Sequence, residues 1–255
     1  MKFRFWCEFP GKTDWKKLAK WLDELDMNIT TYVACTSRKN FDWWKREIRK
    51  ESTRITINAW PTLSQSEGYW FSGFVSKKNI DLLDDFKDIP TKIDVEPPMP
   101  KGGYSLISST LWLLKGFLKK APNRIYLQKK IKTLDTNGRI IASTFPLPHF
   151  LLKRMGWTEA KENNFMFYPS FVPKYLRFIY RLAYIPFIKL NKNANFAIGL
   201  IGKGIFNNEP IYKDIKEFKT DIEFLKRNKV KKVFIFELSS ITKRGKQWLS
   251  VLKQP

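Results

Sequence analysis

The sequence predicts a single (β/α)8 barrel, an α/β fold in which eight parallel strands close into an inner sheet and helices cover the outside. Short apolar or β-branched runs alternate with longer amphipathic runs along the whole chain, and this alternation is typical of a parallel sheet. The repeats fit the 255 residues of the chain, which is the usual length of one such barrel. No Pro-, Gly- or Ser-rich linker divides the sequence, so residues 1–255 are predicted to form one domain.

A doubly wound open sheet is the alternative fold. That fold usually carries a glycine-rich phosphate turn directly after its first strand. At this position the chain has Glu8-Phe9-Pro10-Gly11 instead. The barrel is therefore the preferred prediction.

The first half of the chain contains four predicted strands. Each is a short run rich in β-branched or aromatic residues, and the fourth is stopped by prolines that cannot donate to a central sheet. The strands are predicted over residues 2–9, 29–35, 54–60 and 92–95, and the helices between them over residues 13–25, 41–50 and 76–86.

The second half begins with an extra helix after the fourth strand, predicted over residues 104–120 from its repeated leucines. A further helix over residues 124–134 follows it. The remaining strands are predicted over residues 139–145, 165–168, 196–201 and 230–236, and the remaining helices over residues 148–155, 173–190, 211–227 and 243–252.

The chain is strongly basic, with 47 Lys and Arg against 24 Asp and Glu and a net charge of +23. Such a charge favours contact with an anionic polymer or an anionic membrane surface. The sequence contains no RNA-binding signature and no helix-turn-helix, so no specific nucleic-acid partner is predicted. The basic residues are also scattered along the chain, so a lysine-rich surface without a partner is the other interpretation.

Compartment and membrane contact are predicted from the apolar runs and the cysteines. Cys7 and Cys35 are the only cysteines, so no disulfide framework is implied. No apolar run has the form of a signal peptide or the ~20-residue length of a membrane span. We expect a soluble, cytoplasmic protein, with a position peripheral to a membrane as the alternative. Residues 173–190, apolar on most sides with basic residues between, suit an outer barrel helix, an interfacial helix or a subunit contact.

Acidic residues end three of the predicted strands. Glu8 ends the first, Asp94 and Glu96 end the fourth, and Glu237 follows the eighth. Active sites of (β/α)8 barrels form at the C-terminal ends of the strands, and buried carboxylates are costly unless they are paired. The four acids are therefore predicted to be catalytic. The predicted substrate-binding residues are Asn58, Trp60 and Tyr168, together with Trp6, Tyr69 and Trp70, whose flat rings suit sugar rings.

Asp94 and Glu96 share one face of a strand, because side chains alternate with period two. Two crowded carboxyl groups have one pKa raised, so one can hold a proton while the other is ionised. Glycoside hydrolysis needs this combination of an acid and a second carboxylate. We predict Glu96 as the general acid and Asp94 as its charge partner. Lys92, on the same face, would alternatively neutralise Asp94 and leave the pair structural.

Asp94-Val95-Glu96 resembles the Asp-x-Glu of two groups of barrel glycosidases, the chitinase-type hydrolases and one family of barrel lysozymes. The resemblance implies that Glu96 is the catalytic acid. The lysozymes also place an acid at the end of strand one, where this chain has Glu8. The chitinase group places a Met-x-Tyr on strand six, which Met166-Phe167-Tyr168 matches.

The chain departs from both groups. Ile89 and Lys92 stand where the longer chitinase motif has aspartates, and strand one ends in a glutamate where the lysozymes have an aspartate. A carbohydrate is the predicted substrate. No cofactor and no metal are predicted.

Two other functions are compatible with the sequence. The four acids could hold Mg²⁺ for phosphoester hydrolysis, because magnesium prefers oxygen ligands. A non-catalytic basic barrel that binds an anionic polymer or membrane surface is the second. His149 is the only histidine, which disfavours His-rich metal centres, and Gly202-Lys203-Gly204 indicates an ordinary turn more than a phosphate site.

Overall fold

The structure is a computed structural model that describes residues 1–99, 116, 118–205 and 209–253. Eight strands form a closed barrel in which each strand neighbours the next along the chain and the eighth neighbours the first. The pairs β1–β2, β1–β8, β4–β5 and β7–β8 are all parallel. The predicted (β/α)8 fold is therefore confirmed. The strands are β1 Lys2–Cys7, β2 Ile29–Cys35, β3 Ile55–Pro61, β4 Thr91–Asp94, β5 Ile140–Thr144, β6 Glu162–Phe167, β7 Asn195–Ile198 and β8 Lys232–Phe236.

Helices connect the strands. Those of the described residues are α1 Trp15–Glu24, α2 Arg38–Glu51, α3 Lys77–Asp81, α4 Arg124–Leu134, α5 His149–Met155, α6 Arg177–Leu190, α7 Ile215–Arg227, α8 Leu238–Arg244 and α9 Gln247–Lys253. Short 3-10 turns cover Pro10–Lys12, Gln65–Glu67, Leu82–Phe86, Asp135–Asn137, Pro169–Phe171 and Lys174–Leu176.

Local sequence explains where the helices begin. Asp14 precedes α1 and its carboxylate accepts a hydrogen bond from the backbone N–H of Lys17 at 2.9 Å, which satisfies a donor that the first helical turn leaves open. Asp214 caps α7 in the same way, accepting from Glu217 at 3.0 Å. Leu18 and Leu22 of α1 are wholly buried, so the predicted apolar stripe faces the core.

Several predicted boundaries differ from the observed ones. Helix α2 begins at Arg38 rather than residue 41, because the hydroxyl of Ser37 accepts from the backbone N–H of Asn40 and so stands at the cap. Strand β6 begins at Glu162 rather than residue 165. Its polar start is compatible with a strand because Asn164 donates to the buried hydroxyl of Ser143 at 2.9 Å.

The end of the chain also differs from the prediction. The single helix predicted over residues 243–252 is instead two helices, α8 and α9, separated at Gly245, whose φ of 115° a side chain would disfavour. The extra helix predicted over residues 104–120 lies almost wholly outside the described residues.

The chain divides into two compact units. The first comprises Met1–Ala34, Asp42–Ile57 and Met166–Pro255, and the second comprises Cys35–Phe41 and Asn58–Phe165. Glu8 and Glu237 belong to the first unit, and Asp94 and Glu96 belong to the second. The prediction that residues 1–255 behave as one domain stays a prediction.

Candidate active site

In the second unit, Asp94 ends β4 in a buried ion pair. The ammonium of Lys92 donates to Asp94 Oδ2 at 2.6 Å, and the two side chains are 0% and 3% exposed. Both residues point to the same side of β4 because they are two positions apart. The structure thus shows the contact between Lys92 and Asp94 that the sequence suggested, and the roles of the two residues stay predictions.

An indole ring covers the cation of this pair. Lys92 Nζ lies 3.5 Å from the centroid of the Trp60 ring, within the range of a cation–π contact. Burial raises the pKa of Asp94, because loss of water penalises the ionised form, while the charge of Lys92 and hydrogen bonds from Lys92, Ser143 and Trp60 oppose the rise. Strands β3, β4 and β5 thus supply one side chain each around Asp94.

The residues after Asp94 are held by the loop that follows β3. The backbone N–H of Phe71 donates to the carbonyl of Asp94 at 3.1 Å, and the N–H of Glu96 donates to the carbonyl of Phe71 at 3.2 Å. Phe71 thereby forms an isolated parallel bridge with Val95. Glu96 is buried at the end of this extended segment, directly before Pro97. The loop gives Glu96 a backbone position that the four-residue strand alone would not provide.

In the first unit, Glu237 caps α8. Its Oε1 accepts from the backbone N–H and hydroxyl of Ser240, at 2.8 and 3.0 Å, and from the hydroxyl of Ser239. Its Oε2 accepts from the backbone N–H of Ser239 at 3.2 Å and from that of Glu8 at 3.3 Å. The structure therefore brings Glu8 and Glu237 together through the backbone of Glu8.

Burial raises the pKa of Glu237, because its wholly buried carboxyl group is cut off from water, and the hydrogen bonds from Ser239 and Ser240 oppose that rise. The described contacts of Glu237 are those of a helix cap. Its predicted catalytic role stays a prediction.

A glutamate that the sequence reasoning missed lies close to Glu8. A β-carbon placed on Gly204 would come within 2.9 Å of Glu209 Oε1 and 3.1 Å of Glu8 Oε2. The two carboxylate oxygens are therefore at most about 6 Å apart, which is close enough for both carboxyl groups to act on one glycosidic bond. Both glutamates are buried. The available signal was that Glu209 is the first acid after the seventh strand, at the same edge as the other acids.

The predicted substrate-binding residues divide by exposure. Asn58, Trp60, Tyr69, Trp70 and Trp6 are buried, whereas Tyr168 is half-buried. The ring of Trp6 packs at 5.6 Å from that of Phe234 and 5.8 Å from that of Phe236.

Tyr168 belongs to an aromatic group of the first unit. It stacks on Phe171 at 5.9 Å and lies 6.3 Å from Phe236. Of the six side chains predicted to bind sugar, Tyr168 thus has the most accessible surface. In the described part of the chain, no group of three or more His, Cys, Asp or Glu side chains is arranged to hold a metal ion.

The fold places the chain in the class of (β/α)8-barrel proteins, and solved structures share it. The glycoside hydrolase domain of PgaB (BpsB) from Bordetella bronchiseptica matches with a TM-score of 0.57 and 8% sequence identity, over 98% of each chain. At this identity the likeness establishes the fold alone.

Two further barrels match less well. A putative fructose-1,6-bisphosphate aldolase from Coccidioides immitis has a TM-score of 0.44 and 9% identity, over 92% of this chain and 73% of its own. A putative copper homeostasis protein, CutC, from Streptococcus agalactiae has a TM-score of 0.41 and 11% identity, over 83% of this chain and 100% of its own. No family model and no curated protein sequence matches this chain.

Proposed function

We propose that this chain is a glycoside hydrolase in which Glu96 is the general acid and Asp94 its charge partner. The observation that carries the proposal is the buried Lys92–Asp94 pair, two residues before Glu96 at the C-terminal end of β4. A buried ion pair is a weak source of stability, since desolvation offsets its Coulombic gain. Groups with perturbed pKa values at this end of a barrel are candidates for function.

The proposed chemistry assigns each group one task. Glu96 donates its proton to the glycosidic oxygen as the bond to the anomeric carbon breaks. A water molecule then adds to that carbon, and the proton it loses restores the acid form of Glu96. Asp94, whose ionised form is favoured by Lys92, stabilises the positive charge that develops on the sugar. The ion pair and the Trp60 ring keep Asp94 in place, and the bridge to Phe71 keeps the backbone of Glu96 in place. The likeness to a glycoside hydrolase domain supports the same class of fold.

Glu8 and Glu209 are a second candidate pair for the same reaction. Their proximity around Gly204 supports this alternative, with Glu237 positioning Glu8 through its backbone. Tyr168 lies in the same unit and would offer a ring to a sugar. Substitution of Glu96 should abolish activity if the first pair is catalytic, and substitution of Glu8 or Glu209 should abolish it if the second pair is.

The test is hydrolysis of N-acetylglucosamine oligomers, peptidoglycan fragments and aryl glycosides by Glu96→Gln, Asp94→Asn, Glu8→Gln and Glu209→Gln. Loss of a general acid lowers the rate about 10²- to 10⁴-fold. We expect Glu96→Gln to show this loss on the oligomers but to retain more activity on dinitrophenyl glycosides, whose leaving group needs no proton. The fall in the hydrolysis rate at high pH, which reports the general acid, should also be absent in Glu96→Gln.

Glu159→Gln is the matched control, because Glu159 is an exposed glutamate of the same unit. Full activity of Glu96→Gln with loss in Glu8→Gln and Glu209→Gln would move the site to the first unit. If the unaltered protein hydrolyses none of these glycans, the proposed activity on them is wrong. Inhibition by a chelator would favour the magnesium-dependent phosphoesterase instead.

A further inference from the structure

The outward side of α6 and of the 3-10 turn before it is apolar. Tyr175 and Leu190 are 80% and 84% exposed, and Phe178 and Ile179 are 66% and 60% exposed. Leu176 and Leu182 are exposed as well. Tyr175, Ile179 and Leu182 are three or four residues apart, and Phe178 is four residues before Leu182, so these side chains share one face. We call the six exposed side chains together the α6 apolar face.

The opposite side of α6 is fully occupied by the first unit. Tyr184 and Ile188 are buried there. Arg177 pairs with Glu217 at 2.8 Å and Arg181 with Asp221 at 2.7 Å, both on α7. The helix is thus fixed by its inner face, whereas the side chains of the α6 apolar face remain 39% to 84% exposed.

The neighbouring helix α7 shows the usual surface pattern. Its inward residues Phe218 and Leu225 are buried, whereas its outward residues include Lys216, Lys219 and Lys226. A surface helix normally turns charged residues to water in this way. The α6 apolar face is therefore a specific departure within one unit.

The stretch of sequence that contains α6 carries basic residues and no acidic ones. Between Glu162 and Glu209 the chain has no acidic residue. It has six basic ones: Lys174, Arg177, Arg181, Lys189, Lys192 and Lys203. Once the two arginines are neutralised by α7, exposed Lys174, Lys189 and Lys192 remain at the two ends of the helix.

We infer that the α6 apolar face docks onto an anionic lipid surface, with the helix lying in the headgroup region. Apolar side chains flanked by lysines are the composition of interfacial helices, and each lysine near such a surface adds attraction. The 14 residues of α6 are too few to span a bilayer core of ~30 Å, and none of the described helices is long and apolar enough to do so.

Charge favours lipid over a second copy of the chain. A two-fold contact through the same face would bring the lysines of both copies together, on a protein of net charge +23. An anionic lipid surface neutralises those lysines while it covers the apolar residues.

The test is flotation of the full chain with phosphatidylcholine vesicles that contain about 30% phosphatidylserine, against vesicles of phosphatidylcholine alone. We expect binding to the anionic vesicles that weakens at about 0.5 M NaCl, because salt screens the lysines. Phe178→Ser with Ile179→Ser should bind at least about tenfold more weakly, since each large side chain loses its burial in lipid.

The control is Phe150→Ser with Ile125→Ser, which removes a phenylalanine 67% exposed and an isoleucine 50% exposed elsewhere on the surface. This control should bind as the unaltered protein does. Lys174→Glu with Lys189→Glu and Lys192→Glu should abolish the preference for anionic vesicles.

Two outcomes would overturn the inference. The first is that the unaltered protein does not bind the anionic vesicles, or that Phe178→Ser with Ile179→Ser binds them as strongly as the control Phe150→Ser with Ile125→Ser. The second is a dimer in sedimentation velocity, without lipid, that Phe178→Ser with Ile179→Ser converts to monomer, because the covering surface would then be a second copy.

Discussion

The chain buries two carboxylates at strand ends in two different ways. Asp94, in the second unit, faces a cation: Lys92 at 2.6 Å beneath the Trp60 ring. Glu237, in the first unit, faces dipoles: two backbone N–H groups and two hydroxyls of α8, with the N–H of Glu8. In both, burial raises the pKa of the carboxyl group, and the partners only oppose the rise.

The difference lies in how the stabilisation is distributed. One partner supplies the balancing charge of Asp94, so its loss leaves an unpaired charge in the protein interior. Several hydrogen-bond donors stabilise the carboxylate of Glu237, and each contributes a modest part of that stabilisation. The charge balance of Asp94 therefore depends on one lysine, whereas the carboxylate of Glu237 keeps several donors when one of them is lost.

The largest expected effect is that of Lys92→Met. Removing one partner of a buried ion pair costs about 3 to 5 kcal/mol, because the remaining charge is uncompensated. Urea denaturation should show this loss at neutral pH and a smaller one in acid, where Asp94 takes up a proton. Lys246→Met, which breaks an exposed pair with Glu24, is the control and should change stability little. Equal losses in the two variants would contradict the contrast.

Glu237→Gln is expected to cost less, about 1 to 3 kcal/mol. The amide keeps the shape of the side chain, but its NH2 group faces N–H and O–H donors where an oxygen stood. Denaturation at neutral pH should place this loss below that of Lys92→Met. A larger loss of stability than in Lys92→Met would show that the several hydrogen bonds to Glu237 stabilise the fold more than the ion pair of Asp94 does.

The pH dependence of the same variant tests the raised pKa of Glu237. A carboxyl group with a higher pKa in the folded state favours folding fully below its unfolded pKa, ~4.3, and loses this contribution as pH rises through its folded pKa. We expect the stability advantage of the unaltered protein over Glu237→Gln to shrink as pH rises from about 4, by up to ~1.4 kcal/mol for each pH unit. An advantage that grows with pH would mean that the pKa is lowered.

Ser239→Ala should have the smallest effect, about 0.5 to 1.5 kcal/mol, since it removes one hydroxyl donor of Glu237 and leaves the backbone donors. Ser250→Ala is the control, because the hydroxyl of Ser250 donates to the backbone carbonyl of Lys246, directly before α9, at 3.2 Å. Thermal denaturation of the two variants measures the difference. A loss as large as that of Glu237→Gln would mean that this hydroxyl alone holds the carboxylate.

Local pattern predicted the strands of the barrel well and the helix ends less well. Period-two and period-3.6 spacing depend on neighbours in sequence, so β2 and α4 lie where they were expected. The start of α8 at Leu238 was not predicted, because it depends on Glu237 as a cap. The polar start of β6 was missed because Asn164 is satisfied by Ser143 from another strand.

The candidate site residues of the two units show the same division. The acids at strand ends, Glu8 and Glu237 in the first unit and Asp94 and Glu96 in the second, were identified from their order along the chain. Glu209 was missed because Glu8 is about 200 residues away in sequence, and only the folded chain brings both carboxylates close to Gly204. Their catalytic and binding roles stay proposals.

The sequence by itself determined the eight-stranded α/β barrel, the Asp-x-Glu at the end of β4 and the excess of positive charge, because periodicity and composition are properties of consecutive residues. The tertiary structure decided which charges are neutralised: Lys92 pairs with Asp94, α7 neutralises Arg177 and Arg181, and the donors of α8 hold Glu237. It also decided that α6 turns apolar residues outward. Burial and pairing depend on distances between side chains remote in sequence, and only the folded chain sets those distances.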